Sequence, residues 1–130
     1  MKLAVLAFPL SFLFAKLSGA IINSPRPFVI QHIEPLIKAS TDNGFPSDHT
    51  LLAMTIAAII FVYNRKAGLF LVTLSLFVGL GRIFANVHHL IDILGSIVIA
   101  FLVTFISYKY LQDLLNRNMF GKLRNQLKAK

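Results

Sequence analysis

Three short stretches hold residues whose types and spacing suit chemistry. Ser24-Pro25-Arg26-Pro27-Phe28 sets an arginine between two prolines. Phe45-Pro46-Ser47-Asp48-His49-Thr50 puts a serine, an aspartate and a histidine side by side. The run from Gly81 to Asp92 carries Arg82, His88, His89 and Asp92. An arginine fixed by flanking prolines suits bidentate contact with phosphate oxygens. Pro46-Ser47 reads as a helix start, with Ser47 or Asp48 as N-cap, and the free amides of a helix N-terminus bind phosphate. Ser47 adds a hydroxyl donor there, and His49 can give a proton to a leaving oxygen. His88 and Asp92 are one helical turn apart, so the carboxylate can hold the imidazole in one tautomer and raise its nucleophilicity.

Taken singly, each cluster also has a plain structural reading. Arg26 can be a solvated charge in a proline-rich loop. Ser47 to His49 can be a cap followed by an interfacial histidine. Arg82 can snorkel, and Asp92 can simply start a helix. Their conjunction is more specific. Two arginines, a helix N-terminus, two histidines and an orienting carboxylate are what phosphoryl transfer through a histidine needs without a metal.

These residues must be positioned by a very apolar chain. It is 56% hydrophobic and only 14% charged, with a mean hydropathy of +0.72, which places it in the membrane class. The absence of cysteine excludes disulfides, thiolate metal sites and a cysteine nucleophile. A span needs about 20 mostly apolar residues. Four segments qualify or come near: Leu3–Ile22, interrupted by Pro9 and Lys16; Leu51–Tyr63; Gly68–Phe84; and Leu90–Tyr108, with Asp92 near its start. The expected fold is an all-α bundle of about four transmembrane helices. The long connection from Asn23 to His49 is rich in Pro, Ser, Asn and Asp, which marks a loop. Within it, PFVIQHIEPLIK suggests a short helix lying in the membrane interface. His32, in that stretch, reads as interfacial.

The net charge is +8, concentrated in the Arg65-Lys66 connection and the C-terminal tail. In a multi-span chain this reads as cytoplasmic positive charge, not as a nucleic-acid surface. Counting spans from there puts the Asn23–His49 loop and the turn at Asn86–His89 together on the extracytoplasmic face. The three polar clusters therefore share one side. Residues 1–112 are expected to form the membrane-embedded domain, with the motifs inside 25–95, and residues 113–130 a basic cytoplasmic tail. The first segment has a second reading. Lys2, an apolar run and Ser18-Gly19-Ala20 also resemble a secretory signal peptide.

The order Arg-Pro, Pro-Ser-x-His and Arg-x5-His-x3-Asp resembles the type 2 phosphatidic acid phosphatase family, which shares its site design with vanadium haloperoxidases. The elements here are Arg26-Pro27, Pro46-Ser47-Asp48-His49 and Arg82…His88…Asp92, covering about Pro25 to Gly95. The wording of PRPF and FPSDHT is most similar to the bacterial undecaprenyl-diphosphatase branch. The resemblance implies that His88 is the nucleophile, Asp92 orients it, and His49 is the general acid. It implies that Arg26, Arg82, Ser47 and the amides around Asp48 hold the phosphate, with no metal or other cofactor.

Departures from the family pattern are also visible. A lysine usually stands seven residues before the motif arginine, where this chain has Gly19. Lys16, one turn earlier, is the phosphate-binding substitute, with Lys38 a looser one. Gly81 stands where serine or alanine is common. His89, where an aromatic residue is common, reads as a pocket wall. The family usually has about six spans and four are expected here; the difference would be N-terminal, and the expectation is either a minimal form or a start site placed too late. Gly79, Gly81, Gly95 and Ser96 read as small residues that let helices approach closely.

The function the resemblance implies is hydrolysis of a polyprenyl diphosphate, above all undecaprenyl diphosphate, to the monophosphate. This recycles the carrier lipid for cell-wall polymers, at the outer face of the cytoplasmic membrane. Phosphatidic acid or phosphatidylglycerol phosphate are alternative substrates of the same chemistry. A non-catalytic membrane scaffold, or a truncated family member, is the alternative of a different class.

Overall fold

A computed structural model describes the backbone of residues 2–128 and the side chains through Arg117. Five helices follow in order: α1 (Lys2–Ile21), α2 (Pro27–Gln31), α3 (Asp48–Tyr63), α4 (Arg65–Phe84) and α5 (Leu90–Lys128). Three are long and apolar enough to cross a membrane: α1, α4 and the Leu90–Arg117 part of α5. The fourth, α3, is equally apolar but has 16 residues. This is the all-α bundle expected from the sequence. The expected 112/113 boundary falls within α5, and the tail's side chains beyond Arg117 lie outside the described residues.

Helix α3 is the centre of the bundle, packed against α1, α4 and α5, while α1 also packs on α5. The buried residues of α1 are Leu3, Ala7, Ser11 and Ala15. They recur every fourth position, so they form one stripe on a helix. Ala15 joins Leu51, Met54 and Ala57 of α3 and Ile99, Ala100 and Val103 of α5 in the main core. Each of the three helices contributes one alanine to the contact, which lets the axes come close there. Phe70, Phe77 and Phe84 of α4 form an exposed stripe at seven-residue spacing. In a membrane such a stripe faces lipid, because hydrocarbon chains are as apolar as the side chains.

Gly79 does what its small size suggests between helices, whereas Gly95 makes room for a loop side chain. A Cβ on Gly79 would lie 2.6 Å from Ile93 of α5, and one on Gly95 would lie 2.3 Å from the Phe45 ring. Gly81 does neither: nothing lies within 4 Å of its would-be Cβ. Asn64 both ends α3 and starts α4. Its backbone N–H donates to Ile60, and its side chain accepts from the Ala67 N–H at 3.1 Å, so one capping residue makes the tight turn.

The stretch PFVIQHIEPLIK is helical only over Pro27–Gln31. Proline at the first position fits a helix start. His32 ends the helix in the left-handed region, with φ 54°. Pro35 then disfavours helical geometry at Glu34. The remainder is irregular, so the short helix suggested by the apolar spacing covers only the start of the stretch. His32 itself is exposed.

Candidate phosphate-transfer site

The loop Asn23–Ser47 is tied to the helix ends by side-chain hydrogen bonds, and these set the site. Asn43 is the main tie. Its Nδ2 donates to the Gly19 and Ile22 carbonyls, at 2.6 and 2.8 Å, and its Oδ1 accepts from the backbone N–H groups of Ser24 and Phe45. Two carbonyls at and just past the end of α1 are thereby satisfied. Gly19 is needed for this close approach, since a Cβ there would lie 2.8 Å from the Phe45 carbonyl oxygen. A lysine at the family's usual position has no room in this arrangement.

Ser47 is the N-cap residue of α3, but its side chain makes no capping bond. It is fully buried, and its Oγ accepts from the Thr50 hydroxyl at 3.2 Å. Its carbonyl accepts from the Ser96 hydroxyl at 3.0 Å, and the same hydroxyl donates to the Asp92 carbonyl at 2.8 Å. Ser96, read from sequence as a packing residue, thus joins the start of α3 to the first turn of α5. The Ser47 N–H also points at the Asp92 carbonyl, at 3.3 Å.

At the start of α5, Asp92 takes the helix-starting role and lies close to His88. Its Oδ2 accepts from the His89 backbone N–H at 2.8 Å, the reciprocal half of a capping box. The same oxygen lies 3.4 Å from His88 Nδ1. That is ion-pair distance, without the alignment of a hydrogen bond. Asp92 and His88 are both buried. Asn86, in the left-handed region at φ 60°, turns the chain from α4 into this segment, a conformation asparagine tolerates.

The other ring nitrogen of His88, Nε2, lies 3.4 Å from an Arg26 terminal nitrogen, NH1. Arg26 is itself buried, and NH1 also donates to the Val87 carbonyl at 3.3 Å. Arg26, His49, Arg82 and His88 line one cavity of about 230 Å³. Arg82, in the last turn of α4, has a buried Nε without a partner among the described residues. His49 and Asp48 are exposed, at the first turn of α3. Among the described residues no three His, Asp or Glu side chains gather as a metal site would need.

The model of the PAP2 superfamily matches residues 2–115 of this chain. The chain belongs to the PAP2 superfamily. Undecaprenyl-diphosphatase BcrC of Bacillus subtilis (strain 168) is 37% identical to it over 107 residues, 76% of this chain and 55% of that protein. Bacitracin transport permease protein BcrC of Bacillus licheniformis is 33% identical over 100 residues, 76% of this chain and 49% of that one. Putative undecaprenyl-diphosphatase YbjG of Escherichia coli (strain K12) is 24% identical over 125 residues. The chain spans about half the length of the two Bacillus relatives.

Within this PAP2 chain the motif residues fall in different surroundings. Arg26, Asp48, His49, Arg82 and His88 border the cavity, with Asp92 behind His88. Ser47 is not among its lining side chains. Lys38 does line it, beside the histidines, whereas Lys16 lines a neighbouring cavity of about 220 Å³. Arg26, Asp42 and Asp48 border both. His89 is not a wall of the histidine-lined cavity, because its ring turns to the Pro25 carbonyl at 3.1 Å. Asp42 is the residue missed from sequence. It accepts from the Arg26 guanidinium at 2.9 Å, yet in Ser-Thr-Asp-Asn-Gly it looks like ordinary turn chemistry.

Proposed function

We propose that this protein hydrolyses a polyprenyl diphosphate, undecaprenyl diphosphate above all, to the monophosphate and inorganic phosphate. The observation that carries the reading is the convergence of Arg26, His49, Arg82 and His88 on one cavity, with Asp92 against the far nitrogen of His88. The names of two relatives, undecaprenyl-diphosphatase BcrC and putative undecaprenyl-diphosphatase YbjG, support the substrate class.

In this reading His88 Nε2 attacks the terminal phosphorus, and the bond from that phosphorus to the bridging oxygen breaks. His49 gives its proton to the leaving lipid monophosphate. Asp92 holds Nδ1 of the attacking ring and stabilises the positive charge it gains. Arg26 and Arg82 neutralise the charge on the transferring oxygens, where a dry cavity makes them most effective. The amides around Asp48 contribute at the α3 N-terminus, Ser47 being buried behind them, and Lys16 serves the part of the diphosphate nearer the lipid. Water then attacks phosphorus, His49 takes its proton, and the P–N bond breaks to release phosphate and free His88. The protein's own residues supply this chemistry, so no metal is required. In this reading the protein sits in the cytoplasmic membrane with the site on the extracytoplasmic face, a sidedness supported by the positive charge of Arg65 and Lys66 at the opposite end of α3.

The test is phosphate release from undecaprenyl diphosphate by detergent-purified protein in EDTA, beside His88→Ala. EDTA-resistant release that is lost in the variant is expected. Release from His88→Ala at the wild-type rate, or loss of wild-type release in EDTA, would overturn the mechanism. No release from the wild type would overturn the function.

A further inference from the structure

Arg26 is gripped by a residue that lies in none of the three motifs. Asp42 Oδ1 accepts from the Arg26 nitrogen NH2 at 2.9 Å and from Nε at 3.2 Å, and the Asp42 carbonyl also accepts from Nε, at 3.3 Å. The Ser40 hydroxyl donates to the same carboxylate oxygen. Only NH1 is left, and it points the other way, to the Val87 carbonyl and to His88 Nε2. A guanidinium is a planar fork of fixed geometry. Committing Nε and NH2 to one partner therefore fixes rotation about Cδ–Nε and decides where NH1 goes.

We propose that Asp42 is a positioning residue for phosphoryl transfer. It sets the Arg26 fork so that NH1 meets a phosphoryl oxygen at the attacking nitrogen of His88. The inference rests on the reading of His88 as nucleophile. The burial pattern agrees with it. The Arg26 side chain is 11% exposed and the Asp42 side chain 68%. An ion pair with so exposed a partner adds little to stability, so what this one supplies is orientation. An Asp42 that merely competed with substrate for Arg26 has the opposite consequence, since its removal would tighten anion binding.

The experiment uses the full chain in detergent as wild type, Asp42→Ala, Asp42→Asn, Arg26→Ala and the Asp42→Ala/Arg26→Ala double variant. Two quantities are measured: the Kd for orthovanadate, which mimics five-coordinate phosphorus, and kcat and KM for phosphate release. Asp42→Ala is expected to weaken vanadate binding about tenfold, within the range of coupled neighbours, and to lower kcat more than it raises KM. Asp42→Asn keeps an accepting oxygen and is expected to recover part of both. In the Arg26→Ala background the Asp42 change is expected to do nothing further. Unchanged or tighter vanadate binding in Asp42→Ala, an additive loss in the double variant, or no vanadate binding by the wild type would each overturn the inference. Coupled vanadate binding without phosphate release would sink the function above and leave the positioning role standing. Normal release by Asp42→Ala would sink the positioning role alone.

Discussion

Asp92 Oδ2 lies 3.4 Å from His88 Nδ1 while accepting the His89 backbone N–H at 2.8 Å. One carboxylate oxygen therefore starts helix α5 and also stands beside the ring that precedes it, where the proposed mechanism needs a negative charge. Asparagine can keep the first job, because its oxygen still accepts the His89 N–H, but it cannot offset charge on His88. Asp92→Asn is accordingly expected to fold with near-normal thermal stability. Its kcat should fall roughly 10²- to 10⁴-fold, the range for groups that orient or exchange protons with a catalytic histidine. Asp92→Ala should lose stability as well, by about 1 kcal/mol for the cap. Paired melting curves and kcat values separate the two.

The approach of Gly19 to Phe45 leads to a second expectation. Restoring the family's lysine by Gly19→Lys forces a Cβ to 2.8 Å from a backbone oxygen. Overpacking of this kind costs about 1–3 kcal/mol. The variant should melt lower than wild type and gain no activity, even though it rebuilds the common motif. A fully active and equally stable Gly19→Lys would show that the α1 end and the loop can part without cost.

Lys38 and Lys16 border different cavities, and their removal should have different signatures. Charge-assisted hydrogen bonds contribute about 1.5–3 kcal/mol, roughly ten- to a hundredfold in affinity. Lys38→Ala should weaken inorganic phosphate as a competitive inhibitor. Lys16→Ala should leave that inhibitor unaffected and raise KM for the diphosphate lipid. Inhibition constants and KM values for the two variants make the comparison.

The acid limit of the Asp42–Arg26 pair follows from its surroundings. The Ser40 hydroxyl, and then Arg26, hold the Asp42 carboxyl below its usual value. A carboxylate whose folded pKa is lowered keeps its contribution above the ordinary carboxylate range and loses it as pH falls through the lowered value. The pair should therefore be intact from neutral pH down to about pH 5, above the usual aspartate range. The ratio of wild-type to Asp42→Asn activity should stay flat across that interval, which a pH series of the two proteins would check.

Much of this arrangement is legible in the sequence because it depends on local pattern. Apolar length marks the helices, and helix starts observed at Lys2, Asp48, Arg65 and Leu90 lie within a few residues of those expected. The i,i+4 relation of His88 and Asp92 is likewise a matter of helical spacing. What escapes the sequence is long-range. Asn43 reaches back 24 residues to Gly19, and Ser96 reaches across 49 to Ser47. Neither has a periodicity or motif to announce it. Lys38 and Asp42 come to the cavity by the fold of an irregular loop, whose path no spacing rule dictates. Ser47 shows the converse: its capping position was readable, but burial and the Thr50 contact replaced the cap bond.

The length of α3 has a consequence for the lipid around it. At about 1.5 Å per residue its 16 residues reach about 24 Å, against about 30 Å of hydrocarbon. Arg65 and Lys66, just past its far end, anchor that end among headgroups. The shortfall then falls on the end that carries Ser47, Asp48 and His49. Either the bilayer is pinched thin there or the site lies several ångströms beneath the headgroup plane. A diphosphate would descend to the histidines instead of being lifted out to them, and turnover would depend on the acyl-chain length of the host membrane.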